Sequence, residues 1–246
     1  MHPINTLLHP LYSTIKNYIK PPSEQVFMLP KLVIFDMDGT IVQYPSGNFQ
    51  SSWDAIGFAT GKKDEWERLM AYYLPRRERY DEWSGENCRL LAGLPVQPVF
   101  DQIFPPPYTP GFKEFCTYLD QRKIKKGIIS SGVDLVAERI QQETALDFIV
   151  ANEVHVRDGK FTGGGKINVG ISGKGKSVRE IIQRYRVSQT ETAFFGDHFN
   201  DREAWQEVGL PFGMNVKDSG GHAFVRRNFT DFYQAKEFFA DELEGK

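Results

Sequence analysis

The feature that most constrains this chain is the run Lys31-Leu-Val-Ile-Phe35, which is followed at once by Asp36-Met-Asp38-Gly39. A short apolar stretch without alternation is the signature of a parallel strand buried on both faces. The same grammar recurs at Ile128-Ile129 before Ser130-Ser131, and at Thr192 to Phe195 before Gly196-Asp197. In each case the strand is expected to pass into a polar loop.

Amphipathic spacing predicts helices over 111–122, 133–144 and 175–186, so strands and helices alternate. The expected class is α/β, with a doubly wound, Rossmann-like parallel sheet. In such sheets ligands bind beyond the carboxyl ends of the strands, which would make Asp36, Ser130 and Asp197 neighbours. Residues 45–105 break the alternation and read as helices rich in Trp, Tyr and Arg, ending in Pro105-Pro106-Pro107. They are expected to form an inserted helical cap on a core of 31–44 and 106–246. Alternation around Asp158-Gly159 between Glu153 and Thr162 predicts a hairpin beside the active face.

At 246 residues, 40% hydrophobic and 25% charged, the chain can bury a full core. Its formal net charge of -2 and lack of a long like-charge block argue against a nucleic-acid footprint and for small-molecule chemistry. Cys88 and Cys116 are too few for a disulfide framework and lie outside any metal-ligand spacing. They read as reduced thiols in a cytoplasmic protein. Residues 1–30 form an extension without a signal-peptide core or a membrane span. Leu7, Leu8, Leu11, Ile15 and Ile19 make one helical stripe before Pro21-Pro22, expected to pack on the chain's own core or on the partner subunit of a homodimer rather than on a membrane.

Taken singly, Asp-x-Asp-Gly reads as a turn, Ser-Ser-Gly as a loop and Gly-Asp as a strand end. Taken together and in order, Phe35-Asp36-Met37-Asp38-Gly39-Thr40, Ser130 after two isoleucines, Lys174 at a helix start and Gly196-Asp197-His198-Phe199-Asn200-Asp201 resemble the four motifs of the haloacid dehalogenase superfamily.

That resemblance implies a phosphatase acting on a small-molecule phosphomonoester through an aspartyl phosphate. Asp36 would be the nucleophile and Asp38 the proton donor to the departing oxygen, a pairing for which the two-residue spacing is suited. Ser130, with the backbone around Ser131 and Gly132, would hold phosphate oxygens, and Lys174 would offset their charge. Asn200 would contact phosphate. Magnesium would be held by Asp36, the backbone carbonyl of Asp38 and Asp197, with Asp201 ligating through water or orienting Lys174.

The stretch from Ala151 to Lys174 looks like the phosphoserine phosphatase branch. That branch has a cap glutamate for the substrate's ammonium, whose position falls near Pro45, and a cap arginine for its carboxylate, at whose position Asn87 stands. Without these charges, phosphoserine should be a poor substrate. Trp53, Trp66, Tyr72, Tyr73, Arg76, Arg77 and Arg79 are candidates to read a larger or more anionic leaving group, or simply to pack and face solvent.

Two alternatives compete. Residues 170–177, Gly-Ile-Ser-Gly-Lys-Gly-Lys-Ser, satisfy the phosphate-binding pattern of P-loop nucleotide hydrolases, but no clear strand leads into Gly170 and the Asp36 element would be unexplained. A non-catalytic interaction module of the same fold would usually have lost the nucleophile or a metal ligand, and all are present.

Overall fold

The computed structural model describes residues 29–44, 50–217 and 219–243. The stripe between Leu7 and Ile19 and the segment around Pro45 lie outside the described residues. Seven strands, β1 (Leu32–Phe35), β2 (Lys125–Val133), β3 (Phe148–Arg157), β4 (Lys160–Lys166), β5 (Thr192–Gly196), β6 (Leu210–Met214) and β7 (Arg227–Phe229), form one sheet of order β4-β3-β2-β1-β5-β6-β7. Only the β3–β4 pair is antiparallel.

Among the described residues, the stretch 45–105 after β1 holds four helices: α1 (Ser52–Ala59), α2 (Lys63–Tyr73), α3 (Tyr80–Leu91) and α4 (Gln97–Ile103). The core helices are α5 (Phe112–Gln121), α6 (Asp134–Thr144), α7 (Lys174–Tyr185), α8 (Arg202–Gln206), α9 (Ser219–His222) and α10 (Phe232–Phe238).

All four residues of β1 are fully buried, because the strand is central and covered on both faces. Val33 and Phe35 enter one apolar cluster with Phe112 and Phe115 of α5 and Phe232 of α10. Leu32 and Ile34 enter the other, with Val178 and Ile181 of α7 and Trp205 of α8. Period-two alternation thus sorts neighbouring residues to opposite faces, and with both faces dry the sequence shows no polar alternation. The Phe35 ring meets Phe112 edge-on at 5.3 Å and Phe195 at 5.5 Å. These contacts fix the strand end from which Asp36 projects, and the Asp36 N–H donates to the Phe195 carbonyl at 2.8 Å.

The chain winds outward from β1 through β2 and β3 on one side, then through β5, β6 and β7 on the other. The order reverses at β1 and β5, where Asp36 and Asp197 leave adjacent parallel strands.

The hairpin turn lies at Asp158-Gly159, both at positive φ (50° and 72°), the geometry expected of a two-residue turn between twisted strands. Rather than standing free, β4 packs on the inserted helices: the Phe161 carbonyl accepts from Gly93 N–H, and Phe161 N–H donates to the Leu94 carbonyl. The structure also extends β2 past Ile129. Ser130, Ser131 and Gly132 belong to the strand, across a register shift between Ile129 and Val133, where the sequence pattern suggested a loop.

Candidate active site

Beyond the carboxyl ends of β1, β2 and β5 lies a cavity of about 1010 Å³, lined from the sheet side by Asp36, Asp38, Ser130, Lys174, Asp197 and Asn200. Asp36 is 3% exposed and lies 2.8 Å from the Lys174 ammonium, itself 1% exposed. Lys174 also meets Asp201 Oδ1 at 2.5 Å. It opens α7 beside Gly173, so the helix start aims the side chain at the sheet end. Burial alone would depress its pKa, but the Asp201 and Asp36 carboxylates hold it above the ordinary lysine value.

Asp201 has both oxygens engaged. Oδ1 takes Lys174, and Oδ2 accepts the Asp197 and His198 N–H groups at 3.0 and 3.2 Å. Asp197 accepts from Thr40 Oγ1 at 3.3 Å. Gly39 lies at φ +88°, and a Cβ there would stand 2.2 Å from Asp197 Oδ2. Any side chain would therefore push the first loop off the second.

One carboxylate oxygen from each of Asp36, Asp197 and Asp201 lies within 4.8 Å of the others. Burial, then Asp201 and Asp36, push Asp197 well above the usual carboxylate range, and burial pushes Asp201 up to about 6 despite Lys174 beside it. Crowded acidic groups with one ammonium among them suit a hard divalent cation.

Asp38 is held separately. Its Oδ2 accepts from Ser52 Oγ at 2.6 Å and from Ser52 N–H at 3.0 Å, while Tyr44 donates to Oδ1 at 3.3 Å. Burial raises its pKa to about 7, against the Ser52 hydrogen bonds that lower it and with a smaller push from Asp36. A Cβ at Gly132 would stand 2.6 Å from Asp38 Oδ2, so the β2 strand end needs glycine to approach this carboxyl.

Ser130 Oγ accepts from Gly132 N–H at 3.1 Å. Ser131 is tethered through its carbonyl, which accepts from Trp53 Nε1, Tyr80 OH and Asn152 Nδ2 at 3.0, 2.8 and 2.8 Å. The fully buried Asn152 also accepts from Asn168 and Val169 N–H, both at 2.9 Å, binding β2 to the segment that leads to α7. Sequence reading missed Ser52, Tyr44, Thr40 and Asn152. The signal available for the first was the Ser51-Ser52 pair at a helix start, where Ser51 caps the Asp54 N–H and frees Ser52 for Asp38.

Among the aromatic and basic candidates of the inserted helices, Trp53, Trp66 and Arg77 line the cavity. Arg76 stacks over Tyr72 at 4.4 Å, Arg79 pairs with Glu82, and Tyr73 lies against Trp83 at 6.2 Å, so these form a surface cluster and its packing. Asn87 is 3% exposed and lines the cavity, whereas Arg89 pairs with Glu86 at 2.6 Å in solvent. Lys176, required by the P-loop pattern, has a side chain 78% exposed and 3.8 Å from Glu180. Two residues from Lys174 on a helix, it faces the opposite way.

The model of the haloacid dehalogenase-like hydrolases matches residues 33–206. The chain belongs to this family. It is 30% identical to a phosphoserine phosphatase of Archaeoglobus fulgidus over 76% of this chain and 53% of that protein. A phosphoserine phosphatase of Methanocaldococcus jannaschii is 26% identical over 76% of this chain and 86% of its own length. The chain thus spans about half the length of the first of these relatives. A phosphoserine phosphatase solved as a phospho-aspartyl intermediate analogue shares the fold, with a TM-score of 0.70 at 23% identity over 85% of this chain and 99% of that one. A family hydrolase of Salmonella enterica serovar Typhi superposes with a TM-score of 0.75 at 18% identity, over 88% of this chain and 74% of that one. Among the described residues no helix is long and apolar enough to cross a membrane.

Proposed function

We propose that the chain is a magnesium-dependent phosphatase of small phosphomonoesters, working through an aspartyl phosphate on Asp36. The observation that carries this reading is the convergence of Asp36, Lys174, Asp197 and Asp201 at one strand end, beside a second carboxyl whose pKa of about 7 lets it hold a proton near neutrality.

Asp36 Oδ attacks phosphorus, the bond from phosphorus to the leaving oxygen breaks, and Asp38 gives its proton to that oxygen. In the second step water attacks the phosphoaspartyl phosphorus while Asp38 takes back a proton, releasing inorganic phosphate and the Asp36 carboxylate. Lys174, Ser130 and the N–H groups around Ser131 and Gly132 offset the phosphoryl charge, with Asn200 as a further contact. Magnesium would sit on Asp36, Asp197 and the Asp38 carbonyl, where it supplies positive charge against the phosphoryl oxygens. Asp201 is assigned to orienting Lys174, because its oxygens are already taken by that ammonium and two backbone N–H groups.

In this reading residues 45–105 are a cap that closes the cavity and excludes water, and phosphoserine is not preferred. A cytoplasmic location and a homodimer are proposed on the sequence pattern alone.

The direct test is Asp36→Asn. Turnover of p-nitrophenyl phosphate with magnesium should fall to background and no beryllium fluoride adduct should be trapped; retained turnover would overturn the assignment.

A further inference from the structure

Helix α3 presents Tyr80, Trp83, Ser84 and Asn87 to the cavity, the i, i+3, i+4, i+7 face of one helix. None of the four carries a charge. The charged residues of α3 are engaged elsewhere or exposed: Glu82 with Arg79, Glu86 with Arg89, and Asp81 on the surface. The cavity's other charged groups away from the acidic cluster, Asp54, Arg77, His198 and Lys217, are at least partly exposed.

Two polar groups on this face have no partner among the described residues. Trp83 Nε1 and Asn87 Oδ1 are buried without a hydrogen bond, although Tyr80 on the same face spends its hydroxyl on the Ser131 carbonyl. A buried donor or acceptor left unmade is costly, and native structures keep few of them. Two on adjacent turns, with side chains about 5–6 Å apart at Cβ, in the wall where a leaving group would lie, indicate that the missing partner arrives with the ligand.

We propose that α3 selects a phosphate ester whose leaving group is neutral and carries its own hydrogen-bond acceptor and donor, the acceptor for Trp83 Nε1 and the donor for Asn87. Hydroxyl-bearing sugars and the amide edges of nucleosides both offer this chemistry. An ammonium or carboxylate beside α3 would meet no opposite charge from that face, and its desolvation would go uncompensated. The inference rests on the phosphatase reading for the word ester, but its binding preference can be read without turnover.

The experiment compares p-nitrophenyl phosphate, phosphoserine, a hexose monophosphate and a nucleoside monophosphate by kcat/KM with magnesium, and by calorimetric binding to Asp36→Asn protein. The hexose or nucleoside ester should exceed phosphoserine by at least about tenfold in both measurements, and which of the two leads identifies the source of the chemistry. Trp83→Phe, which keeps the ring and deletes the N–H, and Asn87→Leu should each raise KM for the preferred ester about five- to fiftyfold, more than they lower kcat. Asn87→Leu should unfold at the same or a higher temperature, since it removes a buried amide oxygen that has no partner among the described residues. Phosphoserine matching the neutral esters in binding, or both variants leaving KM unchanged, would overturn the proposal. Absence of all turnover with the binding preference intact would instead sink the phosphatase reading alone.

Discussion

Asp36 and Asp38 stand two residues apart yet occupy unlike surroundings, and the proposed roles rest on this difference. Asp36, the proposed nucleophile, faces the Lys174 ammonium at 2.8 Å. Asp38 faces Ser52 and Tyr44, neutral donors, and burial lifts its pKa to about 7. A carboxyl raised in this way is protonated below the shifted value and loses its proton as pH rises through it. The first step on alkyl phosphates should therefore weaken above about pH 7, where the acid is spent, while aryl phosphates, which leave without much protonation, should be less affected. Asp38→Asn should accordingly cost alkyl esters about 10²–10⁴-fold and aryl esters less; equal losses measured on the two classes would remove Asp38 from the acid role. The same sign governs stability: the raised carboxyl penalises the folded state above about pH 7 and the penalty fades as the pH falls below it.

At the scale of elements, α7 decides between two readings of one glycine-rich sequence. Lys174 and Lys176 both lie in the first turn, but a helix turns about 100° per residue, so the first enters the sheet end and the second enters solvent. Lys174→Ala should leave Asp36 and Asp201 without their shared cation and reduce kcat by several hundredfold or more, whereas Lys176→Ala should stay within about twofold; the reverse pattern in steady-state kinetics would restore the nucleotide-hydrolase alternative. Element boundaries were also where the sequence misled. Ser130 to Gly132 read as a loop because the residues are small and polar, yet they remain strand, since the Ser131 carbonyl is held by Trp53, Tyr80 and Asn152, none of them near in sequence.

For the whole molecule, the sheet gathers acidic groups from β1 and β5 that repel one another across the switch point, and the fold tolerates this only with compensating charge. A divalent cation that binds the folded chain alone should stabilise it, by about 2.7 kcal/mol at a hundredfold excess over its Kd. Thermal unfolding should thus shift upward on adding magnesium and downward on adding a chelator, and Asp197→Asn should abolish the shift. A melting temperature indifferent to magnesium in the wild-type chain would count against the metal site independently of any activity.

The local pattern of the chain was sufficient for the central strand, the helices over Phe112–Gln121, Asp134–Thr144 and Lys174–Tyr185, and the Asp158-Gly159 turn, because each depends on periodicity or on backbone freedom within a few residues. Asp36, Asp38, Ser130, Lys174, Asp197 and Asp201 were singled out by their likeness to the four superfamily motifs, and the fold brings them together at the strand ends. The partners of those residues were decided by packing alone. Ser52 reaches Asp38 only because α1 packs against the end of β2, where Ser52 also takes the Val133 N–H, Asn152 reaches Ser131 across the sheet, and the uncharged face of α3 becomes a wall only once β4 holds the inserted helices over the strand ends. Spacing along a chain can fix which groups share a turn or a face, but the dielectric around a carboxyl and the hydrogen bond a buried amide lacks depend on neighbours that tertiary structure supplies.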